Sequence, residues 1–498
     1  MNQDPGRQSS PQEFRRELKL LDSTMIVIGS MIGSGIFIVS ADIARTVGSP
    51  GYLLLVWVIT GLVTVTAALS YGELAGMMPH AGGQYVYLRE AYNPLVGFLF
   101  GWTMFLVIQT GTIAAVAVAF AKFTGVLVPW FSENNILLAI GGIKFSAAQL
   151  LAITSIALLT YVNIRGLREG KIVQDVFTLT KTAALFGLIL LGIFIGKNST
   201  AISANFSAFW NAGWTHVEAG KIVSYQALNG MMLAAAIGAA MVGSLFSSDA
   251  WNNITFIAGE VVNPKRTIPL SLAIGTGTVT ILYIAANLSY LLVLPLNGNP
   301  DGSSVFDRGI QFASADRVGI AAASRIFGDP AVVIMAVLIM ISTFGCNNGL
   351  ILAGARVYYA MARDNLFFRN IGTLNRNSVP GKALLFQAVW ASLLCLSGTY
   401  SDLLDYVVIA VLIFYILTIS GIFLLRKKRP EAERPYRAFA YPFLPAIYIL
   451  VAAAVSVDLL IFKRDYTWPG LLIVLAGIPV YFLWKKFSPD RENRSAGQ

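Results

Sequence analysis

Long apolar runs separated by short polar stretches recur from about residue 22 to residue 486. A helix that crosses a bilayer needs about 20 predominantly apolar residues. The pattern therefore predicts twelve transmembrane helices at about 22–47, 51–78, 94–121, 147–164, 173–196, 230–258, 268–294, 331–361, 383–399, 403–425, 443–462 and 469–486. Two of these runs are interrupted in the same way, the first by Gly33-Ser34-Gly35 and the sixth by Ser247-Ser248-Asp249-Ala250 after Gly243-Ser244. The breaks lie five spans apart, and an odd offset reverses the direction of crossing. Helices 1–5 (22–196) and 6–10 (230–425) are thus expected to form two inverted repeats with broken first members. Residues 443–486 add two helices, and 1–21 and 487–498 form the flanking segments. Backbone freed by such breaks must be buried in protein or line a wet cavity, because lipid satisfies no N–H or C=O group. This places a binding site near the midplane that suits a zwitterion: half-helix N-termini face a carboxylate and unwound carbonyls face an ammonium. The competing reading is that Gly and Ser merely allow close helix packing; two breaks at matching repeat positions favour the site.

Composition narrows the class. Of 498 residues, 56% are hydrophobic and 12% charged, against roughly 25% charged in a soluble domain, and mean hydropathy is +0.67. A soluble enzyme is excluded; an all-α polytopic membrane protein without a sizeable aqueous domain is expected. The net charge of +10 comes from Lys and Arg clustered between apolar runs, which argues for membrane topology rather than a nucleic-acid partner. With the N-terminus inside, the inner segments hold 24 basic residues and the outer ones 10, so both termini are expected in the cytoplasm. The run from Met25 to Val39 resembles a signal-peptide core, but with eleven further spans it reads as an uncleaved first helix. Cys346 and Cys395 both lie in apolar runs, and no disulfide framework follows.

Taken in order, several motifs resemble the amino acid–polyamine–organocation superfamily, and most of all its L-type amino acid transporter branch in a prokaryotic form. They are Val27-Ile28-Gly29-Ser30-Met31-Ile32-Gly33-Ser34-Gly35-Ile36-Phe37, Leu69 to Leu74 with Pro79 to Leu88, Leu245-Phe246, Trp251-Asn252, Gly259-Glu260, Asn263 to Pro269, Ala355 to Asp364 and Arg434-Pro435-Tyr436-Arg437. The resemblance implies a five-plus-five inverted repeat of leucine-transporter type, with two extra C-terminal helices, that moves amino acids by alternating access. It assigns the amides around Gly33, Ser34 and Gly35 to the substrate carboxylate. The ammonium falls to carbonyls at Met31, Phe246 and Asp249, with Ser247 and Ser248 in the same unwound turn. Phe246 sits where the family places an aromatic that closes over the substrate from outside.

Charges inside the spans carry further information. Lys181 follows Phe177-Thr178-Leu179-Thr180 in the fifth span, and an ammonium at that depth is costly unless it faces the bundle interior with a partner or a task. It resembles the lysine that replaces a sodium ion between helices 1 and 8 in sodium-independent members, which implies a bridge from Gly29 or Ser30 to Ser342 or Thr343. Lys181, Ser342 and Phe246 are therefore the candidate coupling and gating residues. The side chain of Asp249 either binds a cationic substrate or bonds nearby backbone N–H groups. Glu73 and Glu260 read as structural hydrogen-bonding groups rather than proton carriers, and Cys346, Asn347 and Asn348 as cavity-lining or helix-bonding groups. With only His80 and His216, no metal site is expected, nor any cofactor. Thr124 to Phe145 contains no cysteine; by comparison with animal L-type light chains, no disulfide-linked heavy chain is expected, and the chain should act alone or as a weak homo-oligomer.

The expected function is sodium-independent secondary transport of L-α-amino acids, neutral ones first, by exchange or proton linkage. A cationic amino acid or amine transporter of the same fold is the nearest alternative, and a non-transporting amino acid sensor a more remote one. No nucleophile–base pair, metal set or phosphate loop argues for an enzyme. With no targeting extension before the first span, the plasma membrane is expected, and compact loops suit a bacterial inner membrane.

Overall fold

The computed structural model describes residues 14–140, 143–218, 220–397, 400–462 and 464–487; the expected flanking segments before residue 14 and after residue 487 lie outside them. The helices are α1 (Leu20–Met31), α2 (Ser40–Val47), α3 (Pro50–Met77), α4 (Gln84–Ala91), α5 (Pro94–Thr103), α6 (Gln109–Leu127), α7 (Ala147–Arg165), α8 (Leu167–Phe194) and α9 (Ser199–Ser207). They continue as α10 (Gly230–Ser247), α11 (Asn253–Phe256), α12 (Pro264–Val293), α13 (Val305–Arg308), α14 (Val318–Phe327), α15 (Ala331–Arg363), α16 (Gly381–Ser397), α17 (Tyr400–Lys428), α18 (Phe443–Phe462) and α19 (Arg464–Phe487). Among the described residues ten helical stretches are long and apolar enough to cross a membrane, so the protein is a multi-pass membrane protein. The two other expected spans fall short of that length for separate reasons: the first is divided into α1 and α2, and α16 has only 17 residues.

Local chemistry sets several of the boundaries. Gly48 ends α2 with φ +57°, a conformation costly for residues with a Cβ, and a Cβ there would also collide with the backbone of Gly213. Ser49 then accepts a hydrogen bond from the Tyr52 amide as N-cap of α3, with Pro50 at the first helical position. Asn93 and Pro94 start α5 in the same manner. Between α5 and α6 the helix widens into a π turn at Met104–Ile108, and Thr110 Oγ1 bonds back to the Phe105 carbonyl at 2.5 Å.

The sidedness of α8 explains its placement. Gln174, Thr178, Lys181, Leu185 and Leu188 recur at three- and four-residue spacing and are buried, whereas Leu179, Phe186 and Phe194 are exposed. The polar stripe faces the bundle, and the apolar face is left for lipid. Helix α1 packs against α8, α12 and α15, which brings the first break to the middle of the molecule. Residues 79–93 and 259–263 meet the stretch 426–442, which holds Arg426, Arg429, Arg434 and Arg437, at one end, the Arg-rich end of the bundle. At the opposite end lie two antiparallel hairpins, β1 (Ile136–Ile140) with β2 (Ile143–Ser146) and β3 (Gly213–Glu218) with β4 (Lys221–Ala227). The hydrophobic pattern had placed no strands or short helices in these connections.

Candidate functional site

The helical hydrogen-bond ladder of the first span stops at Met31, resumes as a 3-10 turn at Gly35–Phe37, and becomes helical again at Ser40. A helix end leaves its last carbonyls without intrahelical donors and with partial negative charge. Here every carbonyl from Gly29 to Gly33 accepts a side-chain hydrogen bond. Lys181 Nζ donates to Gly29 O at 2.6 Å and Ile32 O at 2.5 Å. Cys346 Sγ donates to Ser30 O at 3.1 Å, and Tyr283 OH lies 3.1 Å from Met31 O. Ser342 Oγ reaches both Ile32 O (3.2 Å) and Gly33 O (3.0 Å). The third donor of the Lys181 ammonium meets Ser342 O at 3.3 Å, so all three of its protons are directed at backbone oxygens of α1, the break and α15. Thr343, by contrast, bonds within α15 to Ile339 O and Met340 O.

The amides are placed differently from the carbonyls. Neither the Gly33 nor the Gly35 N–H donates to a backbone carbonyl among the described residues. Gly35 also lies against the second break, where a Cβ would collide with the Ser247 side chain. Tyr283 OH lies 3.1 Å from Ser247 O as well as from Met31 O, so one phenol of α12 spans both breaks. Nothing in an apolar run marks a tyrosine as such a link, and sequence reasoning missed it.

In the second break Ser248 N bonds to Ser244 O and Asp249 N to Phe246 O, and Ala250 adopts φ +65°, a region unusual for a residue with a Cβ. The reversal turns Asp249 toward α17, where its Oδ1 accepts a hydrogen bond from Tyr415 OH at 2.5 Å. Asp249 borders two narrow spaces. One runs past Phe246 and Ser248 to Val63, Val408 and Tyr448; the other runs past Asn253 to Met104 and Gln109, beside the π turn. Tyr71, Trp251 and Tyr415 stand edge-on or tilted to one another around the first, with ring centroids 4.8 to 5.8 Å apart.

The structure thus brings Met31, Gly33, Gly35, Ser247, Lys181 and Ser342 into one contiguous cluster, with Phe246, Ser248 and Asp249 on its α17 side; Ser34 lies buried between Gly33 and Gly35. Two of the three carbonyls proposed for an ammonium already accept bonds, Met31 O from Tyr283 and Phe246 O from the Asp249 amide, although a carbonyl has a second lone pair. Asn348 ties α15 to Asn163, Gly170 and Gln174 and serves packing. Glu73 holds Arg426 at 2.9 and 2.6 Å and the Ala438 amide at 2.7 Å. Glu260 holds Arg356 at 2.9 and 3.2 Å. At the same end Glu90 is half-buried, which disfavours its charge, but Arg429 and Arg89 outweigh this and keep its carboxyl below the ordinary range.

The family model for amino acid permeases matches residues 18–480, a stretch that contains both breaks. The chain belongs to the amino acid permease family. Similar amino acid permeases fall in the L-type branch. The large neutral amino acids transporter small subunit 2 of Mus musculus is 29% identical over 96% of this chain and 85% of its own length. The b(0,+)-type amino acid transporter 1 of the same species is 28% identical over 95% and 88%. The serine/threonine exchanger SteT of Bacillus subtilis (strain 168) is 28% identical over 95% and 98%. These relatives are amino acid transporters rather than enzymes.

Proposed function

We propose that this permease is a sodium-independent exchanger of neutral L-α-amino acids that works by alternating access. On this reading twelve spans are arranged as a five-plus-five inverted repeat, 22–196 and 230–425, with 443–486 appended. Both termini lie in the cytoplasm, and the membrane is a bacterial inner membrane. The observation that carries the reading is the Lys181 ammonium, seated on the carbonyls of Gly29, Ile32 and Ser342. A fixed cation between α1 and α15 occupies the oxygens that a sodium ion would use, and it makes the first break a joint that α8 holds without external ions.

On this reading the amides of Gly33 and Gly35, which donate to no backbone carbonyl among the described residues, take the substrate carboxylate, and the cap of Tyr283 on Met31 and Ser247 keeps the two breaks in register. Phe246 and the apolar walls around Val63 and Val408 suit an uncharged side chain. Both cysteines, Cys346 and Cys395, are buried, which supports a transporter that works without a disulfide-linked partner.

The test is uptake by purified protein in liposomes, empty or preloaded, with and without sodium or a pH gradient, using labelled L-leucine, L-threonine and L-lysine. Uptake confined to preloaded vesicles and indifferent to sodium is expected; sodium dependence removes the Lys181 argument, and binding without uptake favours a sensor.

A second reading, transport of cationic amino acids, is favoured by one observation: the Asp249 carboxylate lies among aromatic faces suited to a cation. Since Tyr415 already bonds Asp249, Asp249→Asn is expected to change the preference for L-leucine over L-lysine by less than about threefold. A selective loss of L-lysine competition of about tenfold would instead establish the cationic reading.

A further inference from the structure

At the end of the bundle opposite the Arg-rich end, an open pocket of about 480 Å³ lies between the end of α6, the turn that follows it, and the segment before α14. Its charged lining is Lys122, Glu133, Asp316 and Arg317, with Phe123 on the wall and Ile38 at the base. We propose that this pocket is an outer binding site for the amino acid, where Arg317 takes the carboxylate and Glu133 the ammonium before the substrate passes to the breaks. The proposal rests on the transport reading above and extends it to a site outside the central cluster.

Two features make the pocket selective for a zwitterion. First, Arg317 has no carboxylate within salt-bridge distance and donates no hydrogen bond among the described residues; its guanidinium lies over the Phe123 ring, 5.1 Å from the centroid. The adjacent carboxylate does not serve it, because Asp316 is held by Arg45 at 2.7 and 3.2 Å. Ala315 and Asp316 adopt φ +51° and +59°, and the sharp turn leaves the two side chains with separate tasks. A planar guanidinium backed by an aromatic face and lacking an acceptor matches a carboxylate through paired N–H groups. Second, Glu133 faces the same space, and among the described residues its one ion-pair contact is to Lys122 Nζ at 3.1 Å. An anionic acceptor therefore lies across the pocket from Arg317, near enough to act on its charge but not within salt-bridge distance.

The pocket also adjoins the first break. Ile38 directly follows the 3-10 turn Gly35–Phe37. Two residues beyond Arg317, Gly319 lies so close to Phe37 that a Cβ would press on its ring. A ligand held by Arg317 thus rests on the segment that packs against the break, which makes the pocket a loading position rather than a remote surface patch.

The experiment measures equilibrium binding stoichiometry of labelled L-leucine, L-threonine and L-lysine on the purified full chain, together with exchange kinetics in vesicles of fixed orientation. Two ligands per chain are expected for the unaltered protein and one for Arg317→Gln. The same substitution should raise KM from the outer face about tenfold while leaving KM from the inner face at its original value. Arg317→Lys, which keeps the charge but not the fork, should fall between the two and retain the thermal midpoint, separating ligand contact from misfolding. A stoichiometry of one in the unaltered chain, or equal KM shifts on both faces, overturns the outer site alone. Absence of exchange for all three amino acids in the unaltered protein overturns the transport reading and this site with it.

Discussion

Replacing Lys181 by methionine is expected to reduce exchange by about a hundredfold or more, since three charge-assisted hydrogen bonds are lost and each is worth about 1.5–3 kcal/mol. Methionine keeps an unbranched chain of similar reach, so packing of α8 against α1 and α15 is largely retained and the charge is what disappears. Gly29 O, Ile32 O and Ser342 O then lose the donor that joins them; Ser342 Oγ still reaches Ile32 O, but nothing from α8 does. The break remains formed, because Cys346 and Tyr283 still hold Ser30 O and Met31 O, yet α8 no longer fixes its position relative to α15. Binding should therefore survive better than turnover: equilibrium affinity for the exchanged amino acid is expected to fall much less than the exchange rate. The assay is homoexchange in sodium and in potassium buffer with parallel binding. Exchange at the unaltered rate in Lys181→Met would show that the ammonium is an inert tie and not the joint of the mechanism.

The parts legible in the sequence were those that violate the pattern of a lipid-facing helix. Clustered Gly and Ser in the first and sixth runs marked the backbone breaks, and Lys181 marked itself by carrying a charge where lipid tolerates none. What stayed hidden depends on which way a side chain faces and on what comes to meet it. Tyr283 is one of many aromatics in apolar runs, and its capping of Met31 and Ser247 exists only once α12 lies beside α1; Cys346, which the sequence leaves open between cavity lining and helix bonding, takes the second role on Ser30 O. The contact of Asp249 with Tyr415 joins residues 166 positions apart, beyond any periodicity argument. The π turn at Met104–Ile108 follows a register change without Pro or Gly to signal it. The hairpins Ile136–Ser146 and Gly213–Ala227 have strands of four to seven residues, too short to stand out against the long apolar runs on either side. The outer pocket is illegible in the sequence because Arg317 stands directly beside Asp316, and only the fold turns that carboxylate away to Arg45.

Arg356→Gln is expected to destabilise the folded protein by about 3–5 kcal/mol, the usual consequence of removing one member of a buried ion pair. The side chains of Arg356 and Glu260 are almost wholly buried, at 1% and 2% exposure, so a neutral partner leaves the Glu260 carboxylate without compensation in a low-dielectric surround. The damage should extend beyond the pair. The Glu260 carbonyl accepts the Glu17 and Leu18 amides at 2.9 and 3.0 Å, and Val262 N returns a bond to Leu18 O at 2.8 Å. This short bridge ties the chain ahead of α1 to the segment following α11, across the Arg-rich end. Loosening Glu260 therefore frees the entry to α1, the same helix whose far end forms the first break. Two measurements test this together: the thermal midpoint in mild detergent, and labelling of a cysteine introduced at Leu18 in the unaltered and Arg356→Gln backgrounds. A lowered midpoint with faster labelling is expected. The double variant Arg356→Gln with Glu260→Gln should recover part of the midpoint, because it removes the stranded charge along with its partner. If the single and double variants melt alike, the cost lies in lost packing around Arg356, and the ion pair is not what closes this end of the bundle.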